Sequence, residues 1–521
     1  MAKKLVVKKK LVEEAHAPAE ELAGDIDVIE TYPIREPFSS IRITYNRKTH
    51  EYLYEVTEEK LNEKEQEIMQ FVKGILSRTL EYELEQTLEA RRKRMEEQIK
   101  ELISVRGIKI AKSSLDKISY YVTRDFAGYG KIDPIMNDTM IEDISCDGVN
   151  IPIFLYHRVY ESIKTNVKFE TDEELDSFII SLVQKCGKQI SVAEPLLDGT
   201  LPDGSRLQSA LAREVTTRGG SFTIRRFREN PLTPPDLIRL NTTSAEMMAY
   251  LWLGVENGDS MLMCGGTACG KTSTMNAVML FIPSHMKIVS IEDTREINIP
   301  HENWIAGLTR TGFGGKLGES TLGEIDMFEL MKAALRQRPQ YLIVGEIRGA
   351  EAFTLFQAMA TGHTTYSTMH ADSVRSIVHR LENPPINLPR ILLAALNIVV
   401  LQSQVMLGDR MVRRINKIVE IVGIDPDTND IIANTVYEWD PAEDNFKFLG
   451  HSVMLEKIAS KKSLTVEQVK EELRKRNDVM EWLTKKNIRH YKDVANAISS
   501  YYKDPTSLIK KVREELYGTT S

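Results

Sequence analysis

A glycine-rich segment at residues 265–273 has the residue types and the spacing needed to bind a polyphosphate. It matches the pattern GxxxxGK[ST] and lies between an apolar run that ends at Cys264 and a helical pattern that follows. In such a loop the main-chain N–H groups converge on phosphate oxygens, Lys271 reaches the β- and γ-phosphates, and the Thr272 hydroxyl ligates Mg²⁺. The segment therefore predicts a nucleotide site, and a glycine-rich turn without a ligand is the alternative. Its residues are Gly265, Gly266, Thr267, Ala268, Cys269, Gly270, Lys271, Thr272 and Ser273.

Acidic side chains follow two further apolar runs. Residues 287–291 precede Glu292 and Glu296, and residues 341–345 precede Glu346. In an open parallel sheet, ligands bind beyond the carboxyl ends of the strands, where a phosphate loop also emerges. We therefore expect these three carboxylates to face one γ-phosphate, although a helix cap or a solvated loop charge is the ordinary alternative for each. With Thr272, Glu296 and Glu346 are the candidate Mg²⁺ ligands, and either glutamate could be the base that orients water.

Two histidines, His363 and His370, flank a short β-type run. Their spacing matches no recognised zinc motif, so a metal site is disfavoured and a neutral structural role for them is an alternative. Because imidazole can donate to an oxyanion and titrates near neutral pH, we predict that they contact phosphate or relay its presence to a subunit contact.

For these residues to meet at one site, the apolar runs that precede them must be strands of one sheet, and the alternation of apolar and helical segments predicts such a sheet. From about residue 240 to 430, short apolar runs alternate with helical stretches, which is typical of a parallel sheet covered by helices. We predict a helical region over 1–105, a mixed α/β domain over 106–229, a proline-rich hinge linker over 230–239 and a mostly helical C-terminal subdomain over 431–521. Thr465 and Gln468 are placed as a capping box in the last of these.

Composition excludes several protein classes. The 521 residues are 42% hydrophobic and 27% charged, which is unlike disordered, collagenous or disulfide-rich chains, and indicates about three domains. A net charge of -7 disfavours binding to a nucleic-acid backbone. The most apolar stretch, 391–407, is interrupted by polar residues, and four cysteines fit a reducing compartment, so we predict a cytoplasmic protein without a membrane span. The lysine-rich first ten residues are either a solvated terminus or a contact with an anionic membrane face.

Four motifs occur in an order that resembles one family. They are the Walker A segment 265–272, the acidic segment IEDTRE at 291–296, the Walker B segment LIVGEIRG at 342–349 and the histidine segment at 362–372. Together they resemble the secretion ATPase superfamily that drives type II secretion, type IV pili and the archaellum. GYGKIDP at 128–134 and IEDI at 141–144 resemble its archaeal branch. The four-cysteine zinc module that many bacterial type II members carry in the motor domain cannot be built here, because two of the four cysteines lie outside that domain.

The resemblance implies an α/β fold in which an N-terminal helical and mixed α/β region is hinged to a RecA-like P-loop motor domain with a helical C-terminal addition. It implies a hexameric ring that binds ATP and Mg²⁺ between these domains, with basic N-terminal residues reaching the phosphates. The matching positions are Arg206 and Arg225. The implied partners are other copies of the chain, a polytopic membrane platform protein and further cytoplasmic components. The implied location is the cytoplasm, with peripheral attachment to the cytoplasmic face of the membrane.

Two other functions are open to a chain with this core. A RecA-like nucleic-acid motor is one, since fold alone does not fix function, but the acidic composition and the lack of basic patches interleaved with aromatic residues disfavour it. A nucleotide-dependent scaffold without sustained turnover is the other, and two acidic clusters suit hydrolysis better than binding alone.

Overall fold

The computed structural model describes residues 25–79, 88–310, 316–317, 320–321, 323–408 and 410–518. The chain forms two compact units, residues 1–227 and 228–521. The lysine-rich start lies outside the described residues. In the described part of the chain, no helix is both long and apolar enough to cross a bilayer.

A nine-stranded sheet, counted over the described residues, forms the centre of the first unit in the order β1-β2-β3-β6-β5-β4-β9-β8-β7. Its strands are β1 (Ile26–Arg35), β2 (Ser39–Asn46), β3 (Glu51–Glu58), β4 (Ile141–Cys146), β5 (Phe154–His157), β6 (Glu161–Thr165), β7 (Leu196–Thr200), β8 (Arg206–Ala210) and β9 (Ser221–Arg225). Its helices are α1 (Glu63–Thr79), α2 (Leu88–Val105), α3 (Lys112–Phe126), α4 (Asp133–Met136) and α5 (Asp172–Lys185). Strand β9 shows why one face is a core: Phe222 and Ile224 are buried, while Thr223 and Arg225 alternate with them and are exposed.

The first strands correct the expectation of a wholly helical region over 1–105. Residues 26–58 form the antiparallel strands β1 to β3, and helix begins only at Glu63. The physical reason lies in β2, where Ile41 and Ile43 are fully buried on one face with a period of two, which suits a strand and not a helix. The helical spacing of residues 61–80 does not extend back into this segment.

The second unit is built on a sheet with the order β12-β11-β15-β16-β10-β17-β18-β19-β20. Its pairs from β12 to β17 are parallel, and those from β17 to β20 are antiparallel. The strands are β10 (Met261–Gly265), β11 (Ile288–Glu292), β12 (Trp304–Leu308), β15 (Tyr341–Val344), β16 (Thr364–Met369), β17 (Ile398–Leu407), β18 (Arg410–Ile424), β19 (Ile431–Asp440) and β20 (Asn445–Phe448), and a separate pair is β13 (Lys316–Leu317) with β14 (Ser320–Thr321). Every residue of β10, β11 and β15 is buried, as expected for parallel strands covered on both faces.

Helices cover both faces of this second sheet and extend to the C terminus. They are α6 (Pro234–Arg239), α7 (Ala245–Asn257), α8 (Lys271–Met279), α9 (Met327–Arg336), α10 (Glu351–Ala360), α11 (Val374–Glu382), α12 (Arg390–Leu393), α13 (Val453–Lys462), α14 (Val466–Lys485), α15 (Tyr491–Lys503) and α16 (Pro505–Tyr517). The capping box predicted for α14 is present: the Thr465 hydroxyl accepts from Gln468 N at 3.2 Å, and the Gln468 side chain accepts from Thr465 N at 2.8 Å.

Two expectations about the segments that flank the sheet of the second unit are corrected. Within the predicted linker, residues 234–239 are helical, because Pro234 and Pro235 occupy the first positions of α6, where no N–H donor is needed. At the other end, residues 431–440 and 445–448 are strands that extend the sheet, so the helical part begins only at Val453.

The C-terminal helices share one hydrophobic core with the sheet of the second unit. Trp252 of α7 is fully buried and its ring stacks on that of Phe281, with centroids 5.2 Å apart. From α15, the Tyr502 hydroxyl accepts a hydrogen bond from Trp252 Nε1 at 2.8 Å and donates to the carbonyl of Phe281 at 2.7 Å. Tyr501 covers the indole edge-on at 5.0 Å. The C-terminal helices are therefore part of the core of the second unit.

Candidate nucleotide-binding site

The phosphate loop connects β10 to α8 through backbone conformations that glycine supplies. Gly270 has φ +99° and precedes Lys271, the first residue of α8. Gly266, Thr267 and Ala268 are exposed, whereas Cys269 is buried. The loop thus presents its middle to solvent at the N-terminus of a helix, where main-chain donors and the helix dipole favour an anion.

Gly265 lies where a β-carbon would not fit. It pairs with Gln402 across the parallel strands β10 and β17. A β-carbon on Gly265 would lie 2.0 Å from the Gln402 carbonyl oxygen and 2.6 Å from the sulfur of Cys269. The Gln402 side chain accepts a hydrogen bond from Thr274 of α8 at 2.8 Å. The start of the loop is therefore fixed against β17 by the backbone itself.

Lys271 is 8% exposed, and its ammonium group lies among loop oxygens and one imidazole. Nζ donates to the carbonyl oxygens of Gly265 at 3.2 Å and of Gly266 at 2.7 Å, and lies 3.5 Å from Nδ1 of His370. The next residues, Thr272 and Ser273, are half-buried in the first turn of α8. Thr272 is thus placed beside the lysine, as ligation of a phosphate-bound cation requires.

Glu292 and Glu346 end adjacent strands, as the sequence predicts. β11 and β15 pair in parallel, and the Glu292 side chain would lie 3.2 Å from a β-carbon on Gly345. Oε1 of Glu292 accepts from the main-chain N–H groups of Glu296 and Ile297 at 2.8 and 2.9 Å. Burial raises the pKa of the Glu292 carboxyl to about 7, although both of these hydrogen bonds lower it. Oε1 of Glu292 therefore orders the turn that leads to Glu296.

Among the carboxylates predicted for the site, two buried oxygens have no hydrogen-bond partner in the described residues, and this bears on Mg²⁺. They are Oε2 of Glu292 and Oε1 of Glu346. The other oxygen of Glu346 accepts from Arg348 at 2.6 Å. In the described part of the chain no cluster of three His, Cys, Asp or Glu residues could hold a metal ion. This donor set fits Mg²⁺, which binds through one or two carboxylates, a hydroxyl, water and substrate phosphates rather than through a protein cage.

The two histidines lie at opposite ends of β16. His370 follows the strand, and its Nε2 lies 3.2 Å from Oε1 of Glu346 without the alignment of a hydrogen bond. His363 precedes the strand and is near Thr361, whose hydroxyl lies 3.4 Å from its Nδ1. The length of β16 separates the two imidazoles by roughly 20 Å. His370 therefore lies beside Lys271, whereas His363 lies at the other end of the strand, where of the two predicted roles the relay to a subunit contact suits it better.

Glu296 and the two candidate arginines have other surroundings. Glu296 is half-buried, and its carbonyl accepts from the side chain of Asn276 in α8 at 2.8 Å. In the first unit, Arg206 and Arg225 are exposed and directly opposite each other in the antiparallel pair β8 and β9. Asp143 lies opposite Arg225 on β4. Burial raises the pKa of Asp143 and the charge of Arg225 opposes that shift. Two guanidinium groups thus share one open face of the first sheet.

Motif reasoning missed two residues that hold the loop. Gln402 is 3% exposed and opposes Gly265, and Arg413 of β18 donates through Nε to the carbonyl of Ala268 at 2.9 Å. Neither belongs to a recognised motif. The signal that the sequence offers is weak: Gln402 is one of several polar residues of β17, and Arg413 is one of three arginines of β18.

Comparison with known proteins assigns the family. The sequence model of the type II/IV secretion system protein family matches residues 128–515. The chain belongs to the type II/IV secretion system protein family. The resemblance stated from the four motifs is confirmed, and so is the α/β class.

Relatives within this family include archaeal and bacterial proteins. An uncharacterized protein of Methanocaldococcus jannaschii is 38% identical over 401 residues, which cover 76% of this chain and 71% of that protein. The type IV secretion system protein PtlH of Bordetella pertussis is 30% identical over 233 residues, covering 40% of this chain and 67% of PtlH. Among solved structures, the ATPase DotB of Legionella pneumophila matches with a TM-score of 0.38 at 17% identity, over 64% of this chain and 91% of DotB.

Proposed function

We propose that this chain is an ATP-hydrolysing motor that works as a hexameric ring and powers the assembly, secretion or rotation of a type IV pilus-like filament. Its substrate is Mg²⁺-ATP, and the force acts on a polytopic platform protein at the cytoplasmic face of the membrane, together with other cytoplasmic components of the machine. Membership of the type II/IV secretion family supports the class of machine. The observation that carries the enzymatic part is the line from Lys271 through His370 to Glu346 beside the phosphate loop.

In the proposed reaction the main-chain N–H groups of residues 265–273 and the Lys271 ammonium hold the β- and γ-phosphates. Bound Mg²⁺ would neutralise charge that develops on the phosphate oxygens, with Thr272, Glu346 and Glu296 as its candidate ligands. Whichever of these two glutamates does not serve the cation orients water on the γ-phosphorus. Arg206 and Arg225 supply positive charge to the transferred phosphoryl group during turnover. Residues 230–233, the part of the predicted linker that precedes α6, transmit the change between nucleotide states.

Phosphate release by the purified full-length chain tests this proposal. Wild-type protein should release phosphate steadily from Mg²⁺-ATP and sediment as a hexamer when nucleotide is present. Glu346→Gln should bind ATP normally and lose turnover by roughly 10²- to 10⁴-fold, because the variant keeps the shape of the side chain but cannot accept a proton. Glu302→Gln changes the same charge on an exposed side chain of the same unit and serves as the control.

Three outcomes would contradict the proposal. Absence of turnover, even with membranes that carry the platform protein, would favour a nucleotide-dependent scaffold. Stimulation by single-stranded DNA with a steep salt dependence would favour a nucleic-acid motor. Wild-type turnover in Glu346→Gln would remove Glu346 from the mechanism.

A further inference from the structure

Strand β18 contacts the phosphate loop through one side chain, that of Arg413. Its Nε donates to the carbonyl oxygen of Ala268 at 2.9 Å. Its Cδ would lie 3.4 Å from a β-carbon on Gly270, so the aliphatic stem also runs along the end of the loop. Arg413 therefore contacts the loop both by a hydrogen bond and by packing.

The carbonyl that Arg413 holds belongs to a residue in an unfavoured conformation. Ala268 has φ +57°, in the left-handed region that disfavours residues with a β-carbon. Left-handed residues within a loop turn successive N–H groups toward one side, which is the arrangement that binds anions. The hydrogen bond from Arg413 thus secures the conformation on which convergence of the loop donors depends.

The strand paired with β18 holds two other parts of the same segment. Gln402 of β17 opposes Gly265 at the start of the loop and accepts from Thr274 in α8. Gln402 is 3% exposed, so these contacts lie in the interior. The hairpin β17–β18 consequently contacts the start of the loop, its middle and the helix that follows.

Arg413 is carried by a backbone that is anchored on the other face of the sheet. The next residue, Arg414, points to that face, since side chains alternate along a strand. Its Nε and Nη2 donate to the two carboxylate oxygens of Asp444 at 2.7 and 2.8 Å, and Arg414 is 4% exposed. The guanidinium group lowers the pKa of Asp444 to about 2. This paired charge fixes the strand from which Arg413 reaches the loop.

We propose that Arg413 is a positioning residue for nucleotide binding, which acts through the Ala268 carbonyl to hold the phosphate loop in its binding conformation. The proposal rests on the proposed function, because it takes the loop to bind ATP. A residue that acts through the loop stabilises bound ATP and bound ADP to the same extent. It therefore changes binding without changing the chemical step, in contrast to Glu346.

Three variants of the full-length chain test the proposal. Arg413→Met keeps the aliphatic stem and removes the donor, Arg413→Lys keeps a donor of different geometry, and Arg410→Met removes an exposed arginine from the same strand as the control. Titration calorimetry gives Kd for Mg²⁺-ATP and Mg²⁺-ADP, steady-state phosphate release gives kcat and KM, and thermal unfolding reports folding.

The expected result is a matched loss of affinity. Arg413→Met should raise Kd for both nucleotides by a similar factor, about tenfold, with kcat within about twofold of wild type, since one hydrogen bond to a charged donor is lost. Arg413→Lys should recover part of the affinity, and Arg410→Met should bind both nucleotides as the wild type does.

Each contrary result has a distinct meaning. Wild-type Kd values in a folded Arg413→Met would overturn the proposal while leaving the proposed function intact. A loss confined to ATP, with a fall in kcat, would also overturn it, because it would place Arg413 on the γ-phosphate. An equal loss of affinity in Arg410→Met would also overturn the proposal, because the effect would then come from the change in net charge and not from the contact with Ala268. Failure of the wild type to bind ATP would instead refute the proposed function.

Discussion

Nε2 of His370 lies 3.2 Å from Oε1 of Glu346, and Nδ1 of the same ring lies 3.5 Å from the ammonium group of Lys271. An ammonium group has only donors, so Nδ1 must accept and the proton belongs on Nε2, facing the carboxylate. Partial burial, and then the charge of Lys271, lower the pKa of His370 below its usual value. His370 therefore lies between the candidate phosphate-binding lysine and the candidate base.

Replacement of His370 by alanine should lower turnover by roughly 10- to 100-fold and leave ATP affinity within a few fold of wild type. The reason is that the Glu346 carboxylate loses the imidazole that lies 3.2 Å from its Oε1. Steady-state phosphate release and nucleotide titration measure the two effects, with the exposed His285→Ala as control. Wild-type turnover in His370→Ala would show that the imidazole is only a neighbour of the site.

Gly265 and Gly266 should differ sharply in their tolerance of a methyl group. Gly265→Ala places a β-carbon 2.0 Å from the Gln402 carbonyl, whereas nothing lies within 4 Å of the corresponding atom on Gly266. We expect Gly265→Ala to lower the free energy of unfolding by about 3 kcal/mol or more, because a backbone strand must move. Gly266→Ala should unfold at nearly the wild-type temperature. Equal thermal midpoints for both variants would contradict the close approach of β17 to the loop.

Arg206 and Arg225 should be separable from ordinary surface arginines by kinetics. Either Arg206→Ala or Arg225→Ala should reduce kcat by about 10³-fold or more if it supplies charge to the transferred phosphoryl group. Arg213→Ala is the matched control, because Arg213 is also an exposed arginine of the first unit and pairs with Asp172 at 2.9 Å. Thermal midpoints of all three should stay close to wild type. If Arg206→Ala and Arg225→Ala have the same kcat as Arg213→Ala, the two arginines are surface residues without a role in the reaction.

The stability of the second unit should fall with rising pH on account of Asp259. Burial raises the pKa of this carboxyl from 3.8 to about 6, although Lys457 and Lys461 oppose the shift. The folded state therefore holds a proton that the unfolded state releases between pH 3.8 and 6, so the cost is absent below this window and complete above it. Its full size is about 3 kcal/mol.

Asp259→Asn removes the buried charge and should raise the thermal midpoint at pH 8 but not at pH 4. Asp427→Asn, at an exposed position of the same unit, should change the midpoint at neither pH. An Asp259→Asn variant that melts below wild type at pH 8 would show that the carboxylate is stabilised in the fold.

The nucleotide site could be predicted where its chemistry is encoded within a few adjacent residues. The loop and the glutamates at the ends of β11 and β15 follow from apolar runs that end in glycine or acidic residues, and the structure brings Glu292 and Glu346 to adjacent strands. The partners of the loop could not be predicted in this way. Gln402 and Arg413 are distant in sequence and act through a backbone contact and a single hydrogen bond, neither of which has a residue pattern.

The errors have similarly local causes. His363 and His370 look equivalent in the sequence, but they lie at opposite ends of β16. His370 is at the end beside Lys271, and His363 is at the other end. Within residues 26–58, burial in β2 follows a period of two through Ile41 and Ile43, and the helical pattern that follows this segment does not extend into it. In the linker, prolines are read as helix breakers, yet at the first two positions of α6 they are compatible with a helix.

The hydroxyl of Tyr502 joins the C-terminal helices to Trp252 and to the carbonyl of Phe281, two residues beyond the helix that begins with Lys271. A protein shortened before residue 453 would leave this aromatic layer open to water and would aggregate instead of giving a minimal ATPase. Because Tyr502 links α15 to the segment that follows α8, a force applied to α15 would be transmitted to α8 and to the phosphate loop before it.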